Sequence, residues 1–228
     1  PRTKPPFPGV KGAWQKPTVV NNVETLANVP FIIKNGGDAF KKHGPAESTG
    51  TKVYTIMGDV LYPGLCEVDM GVTLRDIIDK FGGGMKQGKK FKAALVGGAA
   101  GVFLSDKLLD VNMDFASLDE YAAVLGSGAI LVISDEFSMV EMLYSVIRFF
   151  RHESCGKCTP CSKGTQELFV LINKIRNGFG TKDDMDKMLL LAQTMKFTSF
   201  CALGQSLIMP IKSAFENFES EFTALLKQ

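Results

Sequence analysis

Four cysteines in the second half of the chain constrain its fold more than any other feature. Cys155, Cys158 and Cys161 are separated from one another by two residues, and Cys201 stands far from them in the sequence. Three thiolates spaced in this way on one tight loop can each reach a different corner of a compact cluster, and a fourth cysteine can close the last corner. The pattern therefore predicts a [4Fe-4S] cluster and a fold that brings residue 201 to the triplet loop.

Two other uses of cysteine compete with this interpretation. Structural zinc sites usually recruit two separated pairs of Cys or His ligands, so a triplet with one remote partner is unusual for zinc, which stays open as the alternative metal. A disulfide framework is disfavoured because five cysteines in 228 residues are too few and too clustered. The fifth cysteine, Cys66, lies in a strand-like stretch, and we interpret it as a small buried hydrophobic residue.

Hydrophobic periodicity divides the chain into three parts and predicts an α+β fold. Residues 1–50 start with a Pro-rich linker and continue into one helix, so we interpret them as the C-terminal segment of another, truncated domain. Residues 51–135 predict a β-grasp domain, with a hairpin over 53–68 and a helix that Thr73 caps. Residues 136–228 predict a four-helix bundle.

The bundle helices are predicted from their apolar stripes and their ends. The first runs over about 136–152 into the cysteine loop, the second starts near Pro160, and Thr181 caps the third. The fourth carries a seam of apolar residues at spacings of three and four. The remaining predicted strands are 91–96 and 129–134. The glycine cluster of residues 97–101 lacks the spacing of a nucleotide-binding turn, so we expect an ordinary turn of the sheet there.

Charge and hydropathy exclude several classes of partner. The net charge of +2 gives no electrostatic argument for nucleic acid or for a membrane surface. The longest aliphatic run, residues 129–133, is far too short to cross a bilayer, so no direct membrane insertion is expected. Reduced cysteines and the lack of a signal-peptide pattern predict a cytoplasmic protein, either soluble or peripheral on a membrane complex.

The sequence around the cysteines suits an anionic cluster. The second predicted helix begins in the cysteine loop, so its free N-terminal N–H groups and its positive dipole end can face the cluster. The basic residues near the ligands in the sequence are Arg148, Arg151, Lys157 and Lys163. They would raise the reduction potential of a cluster or attract an acidic partner, although charge runs are equally typical of a solvated face.

Several motifs together resemble one known family. They are Pro17-Thr18-Val19-Val20-Asn21-Asn22-Val23-Glu24-Thr25-Leu26, Gly58-Asp59-Val60 with Pro63-Gly64, the cysteine segment 153–161, and Cys201-Ala202-Leu203-Gly204. Essentially from end to end, the chain resembles the flavin-bearing NADH-oxidising subunit of respiratory complex I and its relatives in NAD(P)-linked hydrogenases and formate dehydrogenases. In that family a domain that binds FMN and NADH is followed by a soluble-ligand-binding β-grasp (SLBB) domain and by a helical bundle with one [4Fe-4S] cluster.

The resemblance implies roles for individual residues. The four cysteines would ligate the cluster. Asn21 and Asn22, together with Thr25, are similar to the polar residues that hold the FMN phosphate and ribityl chain, while Ala202 and Leu203 would lie near the flavin ring. Helix capping is the competing interpretation of the two asparagines, and both roles can hold at once.

The resemblance also implies a function. Electrons from NAD(P)H would pass through FMN to the cluster and on to other iron-sulfur subunits of a multisubunit dehydrogenase or hydrogenase, which makes the chain part of an NADH dehydrogenase. The family's glycine-rich flavin and nucleotide segments have no counterpart in this sequence, so we expect the isolated chain not to oxidise NADH. The alternative is a docking module in which a cluster, or a zinc ion, only holds the helices together and has no direct redox role.

Overall fold

The structure, a computed structural model that describes residues 1–2 and 5–227, contains a five-stranded mixed sheet. Its strands are β1 (Thr51–Gly58), β2 (Gly64–Asp69), β3 (Phe91–Val96), β4 (Val102–Ser105) and β5 (Ala129–Ser134). Their spatial order is β2-β1-β5-β3-β4, in which β1 and β5 are parallel and the other neighbours antiparallel. The predicted combination of a sheet with helices is confirmed. Strand β4 was not predicted from the sequence, because all four of its residues are buried and its buried and exposed positions do not alternate.

Nine α-helices accompany the sheet in the described residues. They are α1 (Val23–Asn35), α2 (Gly37–Phe40), α3 (Leu74–Asp76) with its π-helical continuation Ile77–Phe81, α4 (Phe115–Asp119), α5 (Met139–Glu153), α6 (Thr159–Arg176), α7 (Lys182–Thr198), α8 (Ala202–Ser206) and α9 (Ile208–Thr223). Thr73 and Thr181 cap α3 and α7 as predicted, because each hydroxyl oxygen accepts a backbone N–H three residues later, at 3.1 and 3.3 Å. None of these helices is both long and apolar enough to cross a membrane.

Successive side chains of β3 point to opposite faces of the sheet and enter two different cores. Ala94 and Val96 belong to a core that α3 and α4 complete on one face. Ala93 and Leu95 belong to a second core, which also contains the apolar stripes of α5, α6, α7 and α9. We call α5 to α9 the helical region. Because the sheet contributes to the core of the helical region, the two pack together as one body.

Helix α9 is attached to β4 by polar contacts as well as by the shared core. The Phe103 N–H donates to Ser213 Oγ at 2.9 Å, and Asn217 Nδ2 donates to the Phe103 carbonyl at 2.9 Å. At the other end of α9, Glu221 forms an ion pair with Lys92 of β3 at 2.9 Å. These contacts fix the helical region to one edge of the sheet.

The N-terminal helix α1 packs much less closely than the rest. It buries none of its residues, and Val23 and Ile33 are 82% and 81% exposed. The Glu24 carboxylate attaches it to β1, accepting hydrogen bonds from the Val53 N–H at 2.7 Å and from Lys52 Nζ at 2.5 Å. Polar contacts, rather than a buried core, therefore hold α1 against the sheet.

Two expectations about single sites can be compared with the fold. The glycine cluster 97–101 connects the antiparallel strands β3 and β4, which confirms the predicted turn. Cys66 was expected to be buried and is only half-buried. It lies on β2, an edge strand that borders solvent on one side, and this position explains the difference.

Candidate iron-sulfur centre

The cysteine loop joins the C-terminus of α5 to the N-terminus of α6 and is shaped by two turn residues. Gly156 has a φ of +78°, a left-handed conformation that glycine adopts without strain. Pro160 lies in the first turn of α6, where its missing N–H would have had no intrahelical acceptor. The loop therefore turns tightly, and it places Cys158 at the N-cap of α6 and Cys161 in its first turn.

The fourth cysteine comes from the connection between α7 and α9. Cys201 is the N-cap residue of the short helix α8, which hydrophobic patterns did not predict because five residues carry too little periodic signal. Gly204 of α8 lies against α6, since a Cβ built on it would be 3.0 Å from the Cβ of Cys161. The packing of α8 on the start of α6 brings the fourth cysteine to the triplet loop.

Cys161 is the most buried of the four cysteines. It is 4% exposed, and its pKa is raised, first by burial and further by the charges that Cys158, Cys201 and Cys155 carry when ionised. Because the interaction between charges falls off with distance, an effect of all three on one thiol means that the four lie in the same neighbourhood. The packing of α8 on the start of α6 agrees with this placement.

The pKa of Cys158 is shifted in the opposite direction. The backbone N–H groups of Phe200 and Cys161 donate to its sulfur and lower its pKa, outweighing the effect of burial. The Cys161 N–H belongs to the first turn of α6, in agreement with the expected role of this helix terminus. A lowered pKa favours the thiolate, which is the form that binds metal.

Two hydroxyl groups that the sequence analysis overlooked complete this environment. Ser154 Oγ is 3.4 Å from Cys161 Sγ. Ser199 Oγ is buried and, within residues 1–2 and 5–227, is the only buried side-chain nitrogen or oxygen without a hydrogen-bond partner. A single serine near a cysteine carries no signal in one sequence, so neither hydroxyl could have been singled out from the pattern alone.

The residues present fit an iron-sulfur cluster by their chemistry. Four thiols lie in one neighbourhood, and N–H or O–H groups lie near the sulfurs of Cys158 and Cys161, which suits an anionic Cys₄ cluster. In the described part of the chain, no three His, Cys, Asp or Glu side chains are already arranged to hold a metal ion. The assignment of the four individual ligands therefore stays a prediction.

The residues expected near a flavin lie in two separate elements. Asn21, Asn22 and Thr25 are exposed at the start of α1, whereas Ala202 is exposed and Leu203 half-buried in α8. The Asn22 side-chain oxygen caps α1, accepting the N–H groups of Glu24 and Thr25 at 2.9 and 3.3 Å. Capping, the competing interpretation of the asparagines, is therefore observed for Asn22. No hydrogen bond joins the two groups among the described residues.

The basic residues near the cysteine loop are all exposed. Arg148 stacks over the ring of Tyr144 at 5.9 Å and Arg151 over that of Phe169 at 4.2 Å. In the part of the chain that the structure describes, neither these arginines nor Lys157 forms an ion pair, and the same holds for Lys163. Their charges are thus available to the cysteine loop and to the surface around it.

Comparison with known proteins agrees with this site. Residues 141–225 match the family described as the NADH-ubiquinone oxidoreductase-F iron-sulfur binding region. The chain is 44% identical to the NADP-reducing hydrogenase subunit HndC of Solidesulfovibrio fructosivorans, over 98% of this chain and 46% of that subunit. It is 41% identical to an NADH-quinone oxidoreductase F subunit of Rhizobium meliloti (strain 1021), over 100% of this chain and 54% of that relative.

A solved structure is similar as well. The crystal structure of an NAD+-reducing [NiFe]-hydrogenase in the air-oxidized state matches with a TM-score of 0.85 at 33% identity. The match covers 100% of this chain and 39% of the other. The similarity therefore extends over the sheet, the helical region and α1 together.

The helical region is thus an iron-sulfur binding region, and its cofactor is a [4Fe-4S] cluster. Over its whole length, the chain is a homologue of NADH-quinone oxidoreductase F subunits and of the hydrogenase subunit HndC, so the resemblance stated from the sequence is confirmed. The chain spans about half the length of the curated relatives it matches.

Proposed function

We propose that the chain is the electron-transfer part of an NAD(P)H-oxidising flavoprotein subunit. The observation that carries the proposal is the packing of α8, which starts at Cys201, against the start of α6, which carries Cys158 and Cys161, inside the region that matches the iron-sulfur family. When bound, a [4Fe-4S] cluster supplies acceptance and release of single electrons. The relatives named above are subunits of an NADH-quinone oxidoreductase and of an NADP-reducing hydrogenase, which supports a nicotinamide nucleotide as a redox partner of the whole protein; the first name supports NADH as its electron source.

The chain's own residues would hold the cluster and bias it towards the reduced state. Cys155, Cys158, Cys161 and Cys201 would supply the thiolates. The N–H donors on the Cys158 sulfur stabilise negative charge, and charge stabilisation favours reduction. Burial of Cys158 and Cys161 shields one side of the site, while the exposed Cys155 leaves the other side open to an approaching partner.

The flavin contacts belong to the same proposal. Asn21, Asn22 and Thr25 would bind the FMN phosphate and ribityl chain, because exposed amides and a hydroxyl donate hydrogen bonds without adding charge. Capping occupies only the Oδ1 atom of Asn22, so its Nδ2 group stays available as a donor. Ala202 and Leu203 directly follow Cys201 and would connect the flavin ring to the cluster.

The finer fold assignment is proposed on the same basis. The sheet begins at Thr51 and its last strand ends at Ser134, which supports an SLBB β-grasp domain over residues 51–135. The four long helices α5, α6, α7 and α9 support a four-helix bundle over 136–228. Residues 1–50, with the loosely packed α1, would be the end of a domain that binds FMN and NADH.

The partners would be other iron-sulfur subunits of a dehydrogenase or hydrogenase complex. Both named relatives are subunits of larger enzymes, which supports a partner of this kind. The exposed Arg148, Arg151, Lys157 and Lys163 would favour an acidic partner surface near Cys155.

Anaerobic reconstitution of the chain with iron and sulfide tests the proposal. We expect a brown protein with the visible charge-transfer absorption of an iron-sulfur cluster and, after reduction, an EPR signal. The Cys66→Ser variant is the matched control and should give the same spectra, because Cys66 lies on β2 and packs against the core on the other face of the sheet from the helical region. A colourless protein that binds one zinc ion per chain would refute the proposal.

A further inference from the structure

Among the described residues, the Ser199 hydroxyl is the one buried side-chain oxygen or nitrogen without a hydrogen-bond partner, and it lies at the cysteine site. Ser199 follows α7 directly and is 6% exposed. Its backbone is fully used, since its N–H donates to the Met195 carbonyl at 2.9 Å and its carbonyl accepts Gln205 Nε2 at 2.8 Å. Only Oγ has no partner within the described residues. A buried hydroxyl without a partner loses its hydrogen bonds to water and destabilises the fold, so its presence needs an explanation.

The position of Gly204 shows where this hydroxyl lies. A Cβ added to Gly204 would be 2.4 Å from Ser199 Oγ and 3.0 Å from the Cβ of Cys161. Both atoms therefore border the same small space between α6 and α8. The hydroxyl is next to the most buried part of the cysteine site, and it reaches that place only because residue 204 has no side chain.

We propose that the Ser199 hydroxyl donates a hydrogen bond to sulfur at the Cys161 corner of the bound cluster and thereby raises the cluster's reduction potential. This inference rests on the proposed function, because it requires the cluster. Reduction adds one negative charge to the cluster, and a donor to its sulfur stabilises the reduced form more than the oxidised form. The sulfur would also supply the hydrogen-bond partner that the hydroxyl lacks within the described residues.

Two hydroxyls from different connections of the chain would then donate to the same cysteine. Ser154, in the loop before α6, lies 3.4 Å from Cys161 Sγ, while Ser199 comes from the connection after α7. Ser154 is half-buried, whereas Ser199 is almost completely enclosed. A bond from an enclosed donor has the larger electrostatic effect, because water cannot screen it or replace it.

A redox titration of the reconstituted 228-residue chain, followed by EPR, tests the inference. In Ser199→Ala we expect the equilibrium constant for reduction to fall about tenfold, which is about 59 mV for a one-electron couple. The matched control is Thr198→Val. The Thr198 hydroxyl is exposed and already donates to the Thr194 carbonyl at 2.7 Å, so its removal should leave the potential unchanged.

The outcomes separate this inference from the proposed function. An unchanged potential in Ser199→Ala, with the cluster intact, overturns the inference and leaves the proposed function standing. A wild-type chain that assembles no cluster overturns both. If Ser199→Ala does not retain the cluster, the Ser199→Thr variant is titrated instead, because threonine restores the hydroxyl. A wild-type potential in that variant supports the inference. A potential lowered by about the amount that corresponds to a tenfold change in the equilibrium constant overturns it.

Discussion

Two buried polar clusters in this chain are completed in different ways. In the sheet, Asp59 is 6% exposed and accepts hydrogen bonds from Ser134 Oγ at 2.6 Å and from Lys89 Nζ at 2.9 Å. Burial acts to raise the pKa of Asp59, but these donors outweigh it and hold the pKa below its usual value. At the cysteine site, Ser199 Oγ has no partner in the described chain.

The difference teaches how a structural polar group can be told from one that serves a ligand. A group that stabilises the fold finds its partners within the chain, because otherwise burial would cost stability. A group placed for a cofactor keeps a free donor or acceptor where the cofactor binds. Changes at the cysteine site should therefore alter cofactor binding or potential, and changes at Asp59 should alter the stability of the fold.

The largest effect is expected from Cys201→Ser. We expect this variant to lose most of its bound iron after reconstitution, because the cluster would have one corner without a thiolate. Iron analysis and visible absorption measure the loss. Full retention of iron would show that Cys201 is not the fourth ligand. In the full-length enzyme, lost turnover with normal assembly supports electron transfer, whereas failed assembly alone supports a purely structural role.

The next effect is expected at the sheet cluster. In Asp59→Ala the Ser134 hydroxyl loses its acceptor and Lys89 loses one of its two carboxylate partners, so we expect the free energy of unfolding to fall by roughly 3 kcal/mol. Urea unfolding of the chain measures it. Asp110→Ala is the matched control: Asp110 is 73% exposed in its pair with Arg75, and no resolvable change is expected. Equal effects of the two variants would contradict this account.

The same carboxylate should make stability depend on pH. A pKa that is lowered in the folded state stabilises the protein above the pKa of the unfolded carboxyl, about 3.9, and this contribution is lost as the pH falls through the lower folded value. The difference in unfolding free energy between wild type and Asp59→Asn should thus be constant from about pH 5 to 7 and shrink below about pH 4. Urea unfolding across this range measures it, and a difference that grows on acidification would refute the assignment.

The smallest effect is expected from Ser154→Ala. Because Ser154 is half-buried, water can take the place of its hydroxyl, and we expect the equilibrium constant for reduction to fall only about threefold. The measurement is the same redox titration. Ser206→Ala is the control, since its hydroxyl already bonds the Leu203 carbonyl at 3.4 Å. A larger effect at Ser154 than at Ser199 would reverse the ranking by burial.

The sequence predicted the elements that have a long hydrophobic period or a local capping motif. The four long helices follow from apolar stripes of many residues, and the caps Thr73 and Thr181 follow from the bonding of a hydroxyl to nearby N–H groups. The short elements β4 and α8 were missed because four or five residues carry no usable period. The parallel pairing of β1 with β5 joins distant segments and left no local signal.

The residues of the candidate site also fall into those that the sequence could predict and those that it could not. The four cysteines are recognisable because their residue type and spacing carry chemistry, and the structure places them together. Ser199 could not be recognised, because its importance lies in what it lacks after folding: an acceptor within the described chain. Only the packing of α8 on α6 places its hydroxyl beside Cys161.

The contacts between α9 and β4 have a consequence for self-association. β4 is an edge strand, and an exposed edge offers free N–H and C=O groups to which a strand of another molecule can pair, the first step of aggregation. The outward-facing groups of Phe103 are already bonded to Ser213 and Asn217. The helix that closes the core thus also prevents the sheet from growing at this edge.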